Sequence, residues 1–217
     1  MSREPQSPTH PAAPPQAASP QPGRVVIISG PSGAGKSTVV RELMNVCPLP
    51  LGTSISATTR KPRDAERDGI DYFFLSEQRF TELRLQGAFI ECRQNFGLKH
   101  WYGTLKDQVA AGLKAGKWLI LEIDVLGAME ILTHHRDLEP LLIFIHPGGL
   151  EELERRLRDR ATESEESLAA RLKTADAEMR YRSRYQHEII NTSVAEAAVQ
   201  ICQILQHAQE LNTCSKS

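Results

Sequence analysis

The feature that most constrains the fold is the stretch GPSGAGKST at residues 30–38, which directly follows the apolar run VVIIS. Its glycines and the pair Lys36 and Ser37 match the pattern GxxxxGK(S/T), and the overlapping run TVVRELM is typical of a helix. A buried strand, a tight turn and a helix start together aim backbone N–H groups and the helix dipole at one anion. The pattern therefore predicts a phosphate-binding loop, or P-loop.

A loop of this kind predicts a nucleoside triphosphate as ligand. Lys36 is expected to reach the terminal phosphates, and the Ser37 hydroxyl to bind Mg²⁺. The rival dinucleotide pattern GxGxxG is absent, because the glycines fall at 30, 33 and 35. With ATP as the triphosphate, the predicted binding residues are Gly30, Pro31, Ser32, Gly33, Ala34, Gly35, Lys36, Ser37 and Thr38.

The order of apolar runs predicts an α/β fold with a parallel-sheet core and helices on both faces. Four β-branched runs, at 24–29, 117–124, 140–147 and 187–191, alternate with segments of helical length. Capping-box patterns at Thr104 to Asp107 and at Ser193 to Glu196 predict two helix starts.

Two segments depart from this alternation. Residues 53–104 carry shorter, more polar strand patterns (TSISATT, DYFFL and AFIECRQNF) around one helix, which predicts an inserted mixed α+β lobe. Residues 151–172 are densely charged and predict two helices that meet at a mobile turn near Ala161 and Thr162, a helical lid. The core is then 24–52, 105–150 and 173–208, between a disordered, proline-rich tail at 1–23 and a flexible C-terminus at 209–217.

Charge and hydropathy exclude several classes of function. A formal net charge of −1 gives no global field for nucleic acid or an anionic membrane, and neither is expected as a partner. No run approaches the eighteen apolar residues of a membrane span, and residues 1–23 lack the features of a secretory signal. We expect a cytoplasmic protein, with the choice between monomer and homodimer left open.

Several strings in a fixed order make residues 24–208 resemble the guanylate kinase family. They are ISGPSGAGKST, SISATTRKPR followed by DGIDYFF, FIE, YGT, LEIDVLGA, RRLRDRATESEES and IIN. The resemblance implies a core sheet with a P-loop, a GMP-binding lobe and a closing lid.

The same resemblance implies the acceptor site. It assigns the GMP phosphate to Arg60, Arg63, Tyr72 and Tyr102, a set of cations and hydroxyls that suits a dianion. It assigns guanine to Ser56, Glu91, Thr104 and Asp124. A carboxylate accepts from guanine N1 and the exocyclic amine, whereas adenine offers no donor at N1. Asp124 has a second candidate role beside hydrated Mg²⁺, and the sequence leaves both open.

The reaction implied is γ-phosphoryl transfer from ATP to GMP, and to dGMP, with Mg²⁺. The resemblance adds the lid arginines Arg156, Arg160 and Arg171 to Lys36 as catalytic cations, and it puts Asn191 near the adenine. Arg155 and Arg158 are expected to be surface partners of nearby glutamates. Two alternatives remain at this point: a non-catalytic guanylate-kinase-like binding module, and a P-loop kinase for another monophosphate.

Overall fold

The structure is a computed structural model that describes residues 23–94, 100–159 and 165–214. The described part contains nine strands and seven α-helices. In chain order they are β1 Arg24–Ser29, α1 Lys36–Val46, β2 Leu51–Thr53, β3 Ala57–Thr58, β4 Phe73–Phe74, α2 Glu77–Leu85, β5 Phe89–Gln94, β6 Trp101–Leu105, α3 Lys106–Lys114, β7 Trp118–Glu122, α4 Val125–His134, β8 Leu141–His146, α5 Leu150–Arg158, α6 Glu165–Met179, β9 His187–Ile190 and α7 Val194–Cys214.

The main sheet has the strand order β2-β7-β1-β8-β9, and every neighbouring pair is parallel. Its central strands are continuous apolar runs because both of their faces are covered. Parallel strands end at one edge, so the residues that follow β1, β7 and β9 lie along the same side of the sheet. All four predicted core strands are present, and β2 is a fifth that the sequence pattern did not separate from the lobe.

Helices cover both faces of this sheet, which confirms the predicted fold class. On one face α1 and α7 pack through residues such as Leu43 and Ile201. On the other face α3 and α4 pack through Val109 and Ile131. None of the helices in the described ranges is long and apolar enough to cross a membrane.

The second sheet is mixed, with the strand order β4-β3-β6-β5. Its small core stacks Phe80 of α2 on Phe89 of β5, with ring centroids 4.5 Å apart. The run TSISATT, expected to be one strand, is divided between β2 of the main sheet and β3 of this one. The predicted cap at Thr104 is wrong: α3 follows Leu105 without a side-chain cap, because the Thr104 hydroxyl donates instead to Glu91.

Helices α5 and α6 pack on each other through Leu153, Leu157, Leu168 and Ala175. They are the two helices expected in the charged segment, although α6 continues past the predicted lid boundary at residue 172. The predicted turn at Ala161 and Thr162 lies outside the described residues. Helix α7 begins as expected after Ser193, whose hydroxyl accepts from the Glu196 N–H at 3.4 Å, and it extends past residue 208 to Cys214.

Candidate active site

The P-loop connects β1 to α1, and its backbone requires glycine at two points. Gly30 has φ 142°, and a Cβ there would overlap the carbonyl oxygen of Ile145 on β8. Gly35 has φ 85° and precedes α1 without offering a side-chain cap. The first N–H groups of α1 are therefore presented to the loop without a capping side chain, as anion binding requires.

Side chains from three elements hold the loop. The Lys36 ammonium donates to the carbonyls of Gly30 and Pro31 at 2.7 and 3.1 Å. The buried amide of Asn191, just after β9, donates to the carbonyl of Ala34 at 2.8 Å. Arg171 of α6 donates to the Ser32 hydroxyl at 2.8 Å. The structure thus brings Arg171, predicted as a catalytic cation, and Asn191, predicted near the adenine, to the loop, and both roles stay predictions.

The other arginines of the predicted lid differ in their contacts. Arg156 donates to Glu152 and to the backbone carbonyl of Asn191, both at 2.8 Å, so it ties α5 to the end of β9. Arg160 lies outside the described residues. Arg155 and Arg158 pair with nearby acidic side chains, as expected for surface partners.

A carboxylate that sequence reasoning missed contacts the predicted metal ligand. The Ser37 hydroxyl donates to Oε1 of Glu122, the last residue of β7, at 2.6 Å. A hydroxyl and a carboxylate are hard oxygen donors, and Mg²⁺ takes few protein ligands besides phosphates and waters. Among the described residues there is no cluster of three or more His, Cys, Asp or Glu side chains. The string LEID contained Glu122, but only its second acid was considered.

A second missed carboxylate is Glu178 of α6. Burial raises the pKa of Glu178 to about 7, against the lowering effects of Lys36 and the Ser32 N–H. Its Oε2 has no hydrogen-bond partner among the described residues. The amphipathic pattern of α6 did not distinguish this buried acid from its exposed neighbours.

In the lobe, Arg60 lies among aromatic rings and oxygens. Its guanidinium is 5.6 Å from the ring centroid of Tyr72, and its Nε donates to the Tyr102 hydroxyl at 3.2 Å. The Glu66 carboxylate accepts from both terminal nitrogens of Arg60, at 2.8 and 2.9 Å. Arg63 is exposed nearby, and its backbone N–H donates to Glu66. Glu66 was not singled out from the sequence, where it reads as one charge in a polar loop.

A buried acidic group lies at the junction of β5, β6 and α4. Glu91 is 6% exposed, and its Oε1 accepts from the Thr104 hydroxyl at 2.7 Å. Burial, with the neighbouring charge of Asp124, raises the pKa of Glu91 to about 7. A Cβ added at Gly127 would lie 2.9 Å from Oε2 of Glu91 and 3.4 Å from Oδ1 of Asp124, so both carboxylates approach the first turn of α4.

The remaining predicted residues make local backbone contacts or are exposed. Asp124 caps α4 by accepting from the Gly127 N–H at 2.7 Å. Ser56 is half-buried before β3, and its carbonyl accepts from the Phe73 N–H. Thr38 is exposed in the first turn of α1.

Burial raises the pKa of Tyr72 to about 12, and the charge of Glu122, whose carboxylate also accepts from the Ser37 hydroxyl, adds to this rise.

A parallel sheet with a P-loop after its strand β1, together with a lobe in which Arg60 lies beside Tyr72 and Tyr102, is typical of a P-loop protein of the nucleotide-kinase type. The Guanylate kinase family model matches residues 22–208. A guanylate kinase from Rhodopirellula baltica is 62% identical over 198 residues, covering 90% of this chain and 93% of the relative. The chain belongs to the guanylate kinase family.

Two more relatives agree with this assignment. A guanylate kinase from Fusobacterium nucleatum is 42% identical over 188 residues, covering 85% of this chain and 97% of the relative. The crystal structure of guanylate kinase from Anaplasma phagocytophilum superposes with a TM-score of 0.71 at 30% identity, covering 87% of each chain. The family resemblance seen in the sequence is confirmed.

Proposed function

We propose that this protein transfers the γ-phosphoryl group of ATP to GMP, and to dGMP, giving ADP and the nucleoside diphosphate. The observation that carries the proposal is the buried Glu91 carboxylate, which accepts from Thr104 on β6, the strand that also carries Tyr102 beside Arg60. The ionised carboxylate can accept from both the N1 and the exocyclic donors of guanine, whereas adenine has no donor at N1. An oxygen left buried without a donor costs about 1–3 kcal/mol, which disfavours adenine.

The donor half of the site is the P-loop, from Gly30 to Thr38. Its backbone N–H groups and the start of α1 hold the triphosphate. Lys36, which the loop carbonyls already keep in place, then moves to the terminal phosphates. Asn191 supports this half through the Ala34 carbonyl.

Mg²⁺ fits the oxygen donors of Ser37 and Glu122, which would hold it directly or through water. When bound with ATP it supplies positive charge that offsets the charge of the transferring group. Asp124 caps α4, and its charge acts on the neighbouring Glu91. Of its two candidate roles, this position favours binding guanine over binding hydrated Mg²⁺.

The acceptor half takes GMP with its phosphate on Arg60, Arg63, Tyr72 and Tyr102. The guanine lies on Glu91 and Thr104, with Ser56 and Asp124 beside it. No covalent intermediate is required, because a GMP phosphate oxygen is already anionic. Catalysis depends on in-line placement of the two phosphates and on fixed cations around them. Lys36 belongs to those cations, and we expect the lid residues Arg156, Arg160 and Arg171 to add to them and the lid to exclude water on closing.

The test is ADP release by the purified chain with ATP and each of GMP, dGMP, AMP, CMP and UMP. We expect turnover with GMP and dGMP only. Comparable rates with AMP would reject the guanine assignment. Calorimetry with GMP separates binding from turnover, and GMP binding without ADP release would make the chain a binding module instead.

A further inference from the structure

Arg60 spends most of its hydrogen-bonding capacity inside the protein. Its Nε donates to the Tyr102 hydroxyl, and its Nη1 donates to the Lys61 carbonyl at 2.7 Å and to Glu66 at 2.9 Å. Its Nη2 donates one hydrogen to Glu66 at 2.8 Å. Of the five N–H donors of a guanidinium, four are accounted for by these contacts. An arginine held this fully has one orientation.

The contacts divide the two edges of the guanidinium between different partners. Glu66 binds the terminal edge of the guanidinium, formed by Nη1 and Nη2, in a two-pronged contact in which the Arg60 side chain is 14% and the Glu66 side chain 18% exposed. The lateral edge, formed by Nε and Nη2, is turned toward Tyr102. Because the Tyr102 oxygen accepts from Arg60, its own hydroxyl hydrogen is left to point elsewhere.

Glu66 also fixes the other arginine of the pocket. Its Oε2 accepts from the backbone N–H of Arg63 at 2.8 Å, and its own N–H donates to the Arg63 carbonyl at 3.0 Å. The carboxylate therefore closes a four-residue turn, 63–66, and clamps it to Arg60. Hydrogen bonding from the Arg60 side chain is the largest cause that lowers the pKa of Glu66, so the carboxylate is ionised at neutral pH.

We propose that Glu66 is the positioning residue of the acceptor-phosphate site: it holds the terminal edge of Arg60 so that the remaining N–H of Nη2 and the Tyr102 hydroxyl are aimed together at the GMP phosphate. This inference rests on the proposed function. Glu66 touches no substrate itself and acts through Arg60 and through the turn that carries Arg63. Its negative charge next to a dianion opposes binding, so the two effects of Glu66 have opposite signs. The geometry indicates that orientation dominates, since Glu66 accepts two of the four hydrogen bonds that fix Arg60, and without them the guanidinium would have to be ordered when GMP binds.

The first experiment measures steady-state kinetics of Glu66→Gln. The amide keeps the shape of the side chain but presents an NH₂ group to the arginine donors, so the two-pronged contact is lost. We expect the KM for GMP to rise about tenfold or more, with the KM for ATP within about twofold of wild type. Glu82→Gln is the matched control, because Glu82 is an exposed carboxylate of the same lobe, paired with Arg79. It should leave both KM values unchanged.

Glu66→Asp keeps the charge on a shorter stem and should restore part of the GMP affinity. Glu66→Asp also provides the kinetic test if Glu66→Gln unfolds below the assay temperature. A double-mutant cycle with Arg60→Met tests whether Glu66 acts through Arg60, since the effect of Glu66→Gln should shrink to about twofold or less once Arg60 is absent.

The outcomes separate this inference from the proposed function. Absence of GMP-dependent ADP release by the wild-type chain overturns the function itself. An active wild type with Glu66→Gln indistinguishable from Glu82→Gln overturns only the role of Glu66. A lower KM for GMP in Glu66→Gln would show that the carboxylate competes with the phosphate, which also overturns it. An equal rise in both KM values would mean general damage to the lobe.

Discussion

The hydroxyl of Thr104 donates to Oε1 of Glu91 over 2.7 Å, and both side chains are almost fully buried. One hydrogen bond from a neutral hydroxyl offsets only part of the cost of burying a carboxylate, so the pKa of Glu91 is raised to about 7. Glu91 therefore changes its charge within the physiological pH range. Two predictions depend on this pair.

GMP affinity should fall as the pH is lowered through 7, because guanine donors need the ionised carboxylate. Between pH 8 and pH 6 the ionised fraction of Glu91 falls about tenfold, and the dissociation constant measured by calorimetry should rise by about that factor. The GMP phosphate also gains a proton at about pH 6, which is a second cause of weaker binding at low pH. Glu91→Gln removes only the first effect, so its weaker binding should vary less with pH than that of wild type. Parallel pH profiles for the two proteins would contradict the prediction.

Glu91→Gln should also stabilise the empty protein at high pH. The folded-state pKa of Glu91 lies above the ordinary value of 4.5, so the stability that the neutral carboxyl allows is fully present below pH 4.5 and is lost as the pH rises through about 7. At pH 8 the ionised, buried carboxylate lowers the free energy of unfolding by about 3 kcal/mol. The variant should melt above wild type at pH 8 and not at pH 5, by thermal denaturation without nucleotide. A lower melting temperature at both pH values would indicate that the amide is poorly accommodated.

Lys36→Met should abolish turnover while the fold persists. The Lys36 ammonium donates to the carbonyls of Gly30 and Pro31, and Lys36 belongs to neither hydrophobic core of the main sheet, so methionine removes the charge without opening a core. Loss of a positioned cation at the transferring phosphate predicts a fall in kcat of about 10²-fold or more. Lys114→Met, at an exposed lysine in the last turn of α3, is the control for losing a lysine charge. Near-normal kcat for Lys36→Met would remove the loop from the mechanism.

Glu122→Gln and Ser37→Ala should each raise the Mg²⁺ requirement. The two side chains share a 2.6 Å hydrogen bond at the end of β7, and losing a metal contact or its supporting partner costs about 10- to 100-fold in metal affinity. The measurement is the Mg²⁺ concentration that gives half-maximal turnover at fixed ATP. Asp124→Asn distinguishes the second acid of the strand: it should weaken GMP and leave the Mg²⁺ requirement unchanged. A raised Mg²⁺ requirement in that variant would assign Asp124 to the metal.

The sequence predicted those parts of the molecule that local patterns encode. The strand, glycine turn and helix of the P-loop are contiguous, so one motif was enough to predict them. The contacts of Glu122, Glu178 and Glu66 depend on which distant elements the fold brings together, and a lone acid in a strand, a helix or a loop has no local pattern. Thr104 illustrates the same limit, because its spacing to Asp107 matched a cap while its actual partner, Glu91, lies thirteen positions away on a neighbouring strand.

Asn191 provides a final test, because its two candidate roles predict different results. The family resemblance implies a place near the adenine, whereas its amide donates to the Ala34 carbonyl from a buried position beneath the loop. If the loop contact is its main role, Asn191→Ala leaves a buried carbonyl without a donor. The free energy of unfolding should then fall by about 1–3 kcal/mol. The KM for ATP should rise, and the preference for ATP over GTP as donor should stay unchanged.

The control for this last variant is Asn45→Ala, at an exposed asparagine of α1 with only a long contact to Glu42. It should leave both stability and donor preference as they are in wild type. Unchanged stability of Asn191→Ala together with lost preference for ATP would instead assign Asn191 to the adenine. The loop contact would then be a property of the empty site, given up when the nucleotide binds.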